Sequence, residues 1–424
     1  MNEILLPMPE HLKLLNYLSV MILVVHLPYM GMLIGSTSFS LLFRGINRIE
    51  PNETAQKFGK DILTILPCHI GVGIILGIVP LIGLMLLYAE WFYGTTFTLF
   101  NYFKVITLMV AIGYFFQWLY HRSVNRGSKS IIIEGIGGFG LLILLGAFYI
   151  FICTLSLSFS PEHWTLITTP LPLLINWNAC ARFLLFTMIS FAFTGLGLLL
   201  FYFRKQSASL SEDYRRFIRY FGAGLTLASV LLIPLVLLWN LITLPDAAFS
   251  GKVVTLYVFS LVFLGLVGLK IFRFIADSSE KVHKKPLVYF VLFLLFLLIA
   301  DHSAKDTANF DHISILIGKG EAARLALEDT RGGAIAVTGD RKLGREVYNL
   351  RCVTCHEYAN KKVGPPHKEA IAKYKNDLET LKKYIKAPWK ISPAYPAMPA
   401  QPLNRKELES VVIYMMENLE KENN

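Results

Sequence analysis

The sequence predicts an all-α protein, a polytopic transmembrane helix bundle of about eight spans fused to a small helical soluble domain at the C-terminus. Three observations lead there. Hydrophobic residues make up 54% of the 424 and charged residues only 17%, too little charge to cover a soluble globule. Apolar runs of about twenty residues, the length that crosses ~30 Å of hydrocarbon, recur through the first three quarters or so of the chain. The remainder is polar and lysine-rich. The chain therefore divides into residues 1–300, the bundle, 301–339, a linker, and 340–424, the soluble domain.

The spans are expected at Leu14–Phe43, Ile62–Glu90, Tyr102–Tyr120, Ile131–Leu155, Ala179–Phe203, Phe217–Leu241, Val253–Phe272 and Leu287–Ala300, the last running into Asp301. The run after Lys13 is too long for the apolar region of a signal peptide and reads as a span. Leu166–Trp177 is apolar but interrupted by Pro170 and Pro172, so it reads as an interfacial loop. Within the linker, Glu321–Glu328 reads as a short helix stopped by Gly332 and Gly333. Gly31/Gly35, Gly71/Gly73/Gly77 and Gly135/Gly137/Gly138/Gly140 form small-residue faces that allow close helix packing.

The net charge of +11 would suit a nucleic-acid ligand if it were clustered on one surface, but much of it sits in short loops between apolar runs. One set of loops carries Arg44, Arg48, Lys57 and Lys60, then Arg122, Arg126 and Lys129, then Arg204, Lys205, Arg215, Arg216 and Arg219, then Arg273, Lys281, Lys284 and Lys285. The alternate set carries little beyond Lys13, Lys104, Arg182 and Lys252. Positive charge stays inside, so the N-terminus and everything after Ala300 are expected outside the cytoplasm, with Trp91–Tyr93 and Trp164 as outer interfacial anchors. The partner implied is the lipid bilayer, in a multi-pass inner-membrane protein with a periplasmic C-terminal domain, and no nucleic acid.

Cys68, Cys153 and Cys180 lie in or beside apolar runs and read as small buried hydrophobes. Cys352-Val353-Thr354-Cys355-His356 reads differently: it is the spacing for covalent haem c attachment. Two thiols on one helical turn add across the two haem vinyl groups, and the next residue then lies under the iron. A CxxC alone would equally suit a redox dithiol or half a zinc site; the adjoining histidine favours haem. Upstream, Lys342–Leu350 reads as a helix with Gly344, Val347 and Tyr348 on one face. Downstream, Val363-Gly364-Pro365-Pro366 is a stiff turn whose carbonyl can accept from the His356 ring, fixing it and raising its basicity. Asp377–Lys386 reads as a helix, Tyr395–Pro399 as a rigid loop presenting Met398, and Asn404 as the cap of a last helix bearing Leu408, Val411, Val412 and Met415.

This order resembles a class I cytochrome c. The resemblance implies covalent haem c on Cys352 and Cys355, with His356 as proximal and Met398 as distal iron ligand, a pairing that raises the reduction potential relative to bis-histidine haem. Met415 and Met416 are rivals for the distal place but read as core residues; His367 reads as exposed.

Histidines inside spans are functional candidates by default. His26 and His69 stand at depths that would let one haem b bridge them, the alternative being that each bonds a backbone carbonyl or a buried polar neighbour. His121 reads as interfacial, and His11, His163, His283, His302 and His312 as exposed. Glu90, Asp301 and Glu134 stand at helix ends, where each could handle protons near a quinol or simply mark where a helix meets water. Val25–Met32 and the stretches Lys57–Lys60 and His69–Gly73 give the first two spans a distant resemblance to the quinol oxidase subunit I of cytochrome bd, in which His26 would match a haem-ligating histidine. The chain departs from that family in having no histidine in Asn178–Leu184 and only a short loop at Pro245–Lys252, which points to an anchor or conduit rather than an oxygen-reducing unit.

The function expected is that of a membrane-anchored c-type cytochrome subunit. It would carry single electrons between a membrane complex or quinol pool and an extracytoplasmic electron carrier, beside other respiratory-complex subunits. A quinol-oxidising enzyme subunit and a non-catalytic anchor and assembly subunit are the alternatives.

Overall fold

The structure is a computed structural model, and it describes residues 9–66, 68–91, 99–159, 174–203, 210–276, 284–309, 339–392, 394–396 and 398–421. Among them there are helices and no strands, in two compact units. The expectations for Trp164, His163, His283, His312 and the linker helix at 321–328 lie outside the described residues, as does the side chain of His11.

The first unit begins with α1 (Pro9–Ile49) and a short amphipathic α2 (Glu53–Asp61). A helix α3 follows through Ile70–Gly73, a π segment at Ile74–Ile78 and Val79–Trp91. Then come α4 (Leu99–Asn125), α5 (Ile131–Ser156), α6 (Trp177–Gly197, continuing as a π segment to Phe203), α7 (Glu212–Ile242), α8 (Gly251–Ala276) and α9 (Lys285–Ala308). Eight of the described helices are long and apolar enough to cross a membrane.

Two boundaries differ from expectation. The second span starts at Ile70, not Ile62, because the chain leaves a 3₁₀ turn at Ile62–Ile65 and is extended at Leu66, the residue before Pro67, where a helical conformation is disfavoured. The eighth span continues helical through Asp301–Ala308, residues whose polarity had suggested linker.

Neighbouring antiparallel pairs α4/α5, α6/α7 and α8/α9 pack along their lengths. Without a hydrophobic force between helices in lipid, close approach and hydrogen bonds hold such a bundle. Gly31 on α1 lies against Ser190 of α6, Gly73 on α3 against the Tyr114 ring of α4, and Gly137 on α5 against the Tyr120 ring of α4, so each small-residue face admits a neighbour, while Gly71, Gly135 and Gly138 face open space. Thr37 of α1 donates to Gln117 of α4 at 2.8 Å, and Gln117 donates to the Gly137 carbonyl of α5 at 3.0 Å. At one end of the bundle Arg44 and Arg48 pair with Glu134 at 3.0 and 2.5 Å, so Glu134 is a structural counter-ion there.

Among the described residues the second unit has four helices: α10 (Arg341–Val347, continuing as a π segment through Tyr348–Cys352), α11 (His367–Ala372), α12 (Leu378–Lys386) and α13 (Arg405–Lys421). Asp377 caps α12, accepting from the Thr380 amide at 3.1 Å. Asn404 and Glu407 form a reciprocal capping box at the start of α13, at 2.8 and 2.9 Å. The core gathers Val347, Tyr348, Ile371, Leu381, Ile385, Val411, Val412 and Met415, with Met416 packed at its edge. Both methionines therefore take the core role expected of them. Helices α10 and α13 cross at Gly344, where an added Cβ would lie 2.6 Å from the Ser410 carbonyl carbon.

Candidate functional site

The site in the second unit begins where α10 unwinds. The His356 amide donates to the Cys352 carbonyl at 2.9 Å and the Cys355 amide to the same oxygen at 3.2 Å, closing one turn that holds both thiols and the imidazole. Both cysteines are free, Cys352 buried and Cys355 half-buried. Burial, with Cys355 next to it, pushes the Cys352 thiol up to about 11, so it stays protonated. The next loop folds back on this turn: the Gly364 and Val363 amides donate to the Cys355 carbonyl at 2.8 and 3.1 Å.

That return places the Pro365 carbonyl 2.9 Å from His356 Nδ1. Since a carbonyl only accepts, Nδ1 is the donor, and the neutral ring then has its lone pair on Nε2. Gly364 lies flat against the imidazole, and a side chain there would run into the ring.

His367 is a correction to the sequence reading. It is buried, at 6% exposure, instead of exposed. Its ring stacks on His356 with centroids 4.2 Å apart, and its Nδ1 is 2.8 Å from the Tyr348 hydroxyl. Burial, and next the adjoining His356, pushes it down to about 3, so it is neutral near pH 7. The prolines before it suggested a surface turn; instead they deliver it to the first residue of α11, whose amide reaches back to the Glu357 carbonyl at 3.0 Å. Met398 stands half-buried in the extended loop between α12 and α13. That loop is tied to α12 by the Gln401 amide on the Ile385 carbonyl at 3.3 Å.

Residues 342–418 match the family model of cytochrome c. This segment is a cytochrome c domain. Comparison with curated proteins gives no match. The cytochrome c domain implies a covalently bound haem c, and the residues fit the group: two free thiols on one turn, a histidine with its lone-pair nitrogen unengaged by Pro365, and a glycine clearing the ring's flank.

In the bundle, the structure does not bring His26 and His69 together. His26 is fully buried on α1, its Nδ1 donating to the Leu76 carbonyl at 2.8 Å and its ring stacked on Phe148 at 5.8 Å. Its Nε2 is buried with no hydrogen-bond partner among the described residues. His69 is the cap residue before α3 with its side chain exposed, and its carbonyl accepts from the Tyr114 hydroxyl at 2.9 Å. His121 is buried, 3.5 Å from the Thr37 hydroxyl. His302, read as exposed, is buried inside α9, as its helical continuation requires.

The sequence reading also missed a polar cluster at the α9 end of the bundle. Arg182 pairs with Asp301 at 2.6 Å and donates to Asn178 at 2.7 Å. Asn178 in turn donates to Asn240 at 3.2 Å. Lys305 is buried against Tyr88, and Asp306 accepts from Asn16 at 3.0 Å. The signal available was a run of charged residues continuing the eighth apolar segment in helical register.

Proposed function

We propose that this chain is a membrane-anchored c-type cytochrome subunit that carries single electrons between a membrane complex or quinol pool and an extracytoplasmic redox carrier. Cys352 and Cys355 would hold haem c through thioether bonds, with His356 as proximal and Met398 as distal ligand. The observation that carries the reading is the His356–Pro365 bond, which fixes the ring through Nδ1 and leaves Nε2 as the nitrogen for iron. Bound haem c supplies one-electron exchange at iron. The chain's own residues hold the geometry: Gly364 leaves room for the ring, His367 stacks on it, and Tyr348 holds His367 by a hydrogen bond. The loop-charge asymmetry supports an extracytoplasmic domain.

The second reading, a quinol-oxidising subunit, is favoured by an apolar cavity in the bundle with a polar end. In either reading His26 is a membrane candidate for haem b ligation, since its buried Nε2 has no hydrogen-bond partner among the described residues. The third, a bundle that only anchors, predicts haem c alone.

A pyridine haemochrome spectrum of the purified chain separates these, haem c alone favouring the anchor and haem c with b the conduit or quinol enzyme. Cys352→Ser with Cys355→Ser should abolish haem that survives denaturing electrophoresis; retained covalent haem would sink the assignment. Met398→Ala should remove the sulfur-to-iron absorption band and lower the potential, and an unchanged spectrum would mean another distal ligand.

A further inference from the structure

The bundle encloses a cavity of about 110 Å³ among α1, α5, α6, α7, α8 and α9. That is of the order of the ~150 Å³ apolar cavity that admits a benzene ring. Its walls are apolar, Leu23, Phe148, Phe186 and Leu294 among them. Phe148 and Phe186 stack with centroids 4.5 Å apart and 5° between planes, which gives the cavity a flat aromatic side. The other end is polar: Asn240, Tyr257 and the Arg182–Asp301 pair.

The Tyr257 hydroxyl is the telling group. Tyr257 is 2% exposed, and its hydroxyl, near the Asn240 side chain, makes no hydrogen bond of full geometry among the described residues. A buried hydroxyl left this way in a low-dielectric interior calls for a partner. On the α1–α5 side Leu27 and Leu155 are only half-buried, so the cavity opens there towards lipid.

We propose that this cavity binds the ring of a lipid-soluble quinone or quinol, with a ring oxygen at Tyr257 and the tail leaving between α1 and α5. The chemistry selects that class. The ring must be compact enough to fit beside the Phe148–Phe186 stack, must carry an oxygen to satisfy Tyr257, and must be apolar enough to reach the site through lipid. A phospholipid acyl chain would fill the volume but leave the Tyr257 hydroxyl unmet. Asp301, held by Arg182 and 27% exposed at its side chain, stands at the polar end between the cavity and the surface. The inference deepens the quinol reading above and rests on it only for its physiological use, since binding needs no haem.

The test is photolabelling of the full-length purified chain in detergent with an azido-1,4-benzoquinone bearing a short alkyl tail, mapped by peptide mass spectrometry. Adducts should fall on α5, α6 or α8 and be competed by unlabelled short-tail benzoquinone. Leu294→Trp, which fills the cavity, should lower labelling about tenfold or more, and Tyr257→Phe should weaken competition about fivefold, the size of one lost hydrogen bond. Both variants should keep the covalent haem stain and spectrum of the parent. Adducts elsewhere, labelling indifferent to Leu294→Trp in a haem-loaded monodisperse protein, or a co-purified phospholipid that quinone does not displace would overturn the site. If Leu294→Trp fails to fold, unchanged competition in Tyr257→Phe would do so. Quinol reduction of haem c that persists in both variants would sink this site while leaving the quinol reading standing. Competed labelling without haem reduction would support the site while removing that reading.

Discussion

The bundle and the cytochrome c domain both bury polar groups, but they satisfy them over very different lengths of chain. In the cytochrome c domain His356 meets the Pro365 carbonyl nine residues on, and His367 meets Tyr348 nineteen residues back. In the bundle Asp306 meets Asn16 across 290 residues, Lys305 meets Tyr88 across 217, and Tyr214 meets Asp61 across 153. A site built on one turn and its return loop is written contiguously, so a motif can carry it. A site built where six helices converge has its parts scattered, each looking like an ordinary helix-end residue.

The difference is sharpest in the cost of removing one partner. Asp301→Ala would leave the Arg182 guanidinium, 12% exposed, without its counter-charge in a low-dielectric setting. Stranding a buried charge costs about 3–5 kcal/mol. Asn178 and the Phe159 ring still engage Arg182, so the lower end, about 3 kcal/mol, is expected. Thermal unfolding in detergent should record the loss, and the double variant Asp301→Leu with Arg182→Leu should recover most of it. A loss under about 1 kcal/mol would mean the pair behaves like a surface bridge, and the polar end of the cavity would then be open to water.

The same contrast explains what could be read from the residues alone. Eight spans were legible because lipid demands long apolar runs with every backbone group bonded internally. The attachment turn and its Pro365 acceptor were legible because chemistry fixes their spacing. His69 was misplaced by reading the apolar run through Pro67, which sets the helix start at Ile70. His302 and Lys305 were misread because their polarity suggested a tail, whereas α9 continues and finds them partners on other helices. His367 was misread because a turn of two prolines usually faces water; only the stacking of its ring on His356 reveals its place. The pairing of Arg182 with Asp301 follows no sequence spacing at all.

Gly344→Ala tests the local side of the comparison. The new methyl would press on the Ser410 backbone where α10 crosses α13, and a backbone cannot swing aside as a side chain does. Overpacking of this kind costs about 1–3 kcal/mol. Denaturant unfolding of the haem-loaded chain, followed by haem absorbance, should show a lower midpoint, while the spans' helical signal in detergent stays as in the parent. An unchanged midpoint would mean the two helices slide apart freely and that their crossing does not hold the domain together.

The smallest effect should come from Arg341→Ala. Its guanidinium meets Glu417 at 2.7 Å, yet the side chains are 55% and 37% exposed. Water screens such a pair and ordering two long side chains offsets the attraction, so about 0.5 kcal/mol or less is expected. That loss should shrink further in high salt, and by a larger fraction than the loss at Asp301, whose partner Arg182 is only 12% exposed. If Arg341→Ala rivalled Gly344→Ala and did not respond to salt, then the α10–α13 crossing would be held by its charges as much as by its glycine. The division between a domain locked by local packing and a bundle locked by distant ion pairs would then lose its basis.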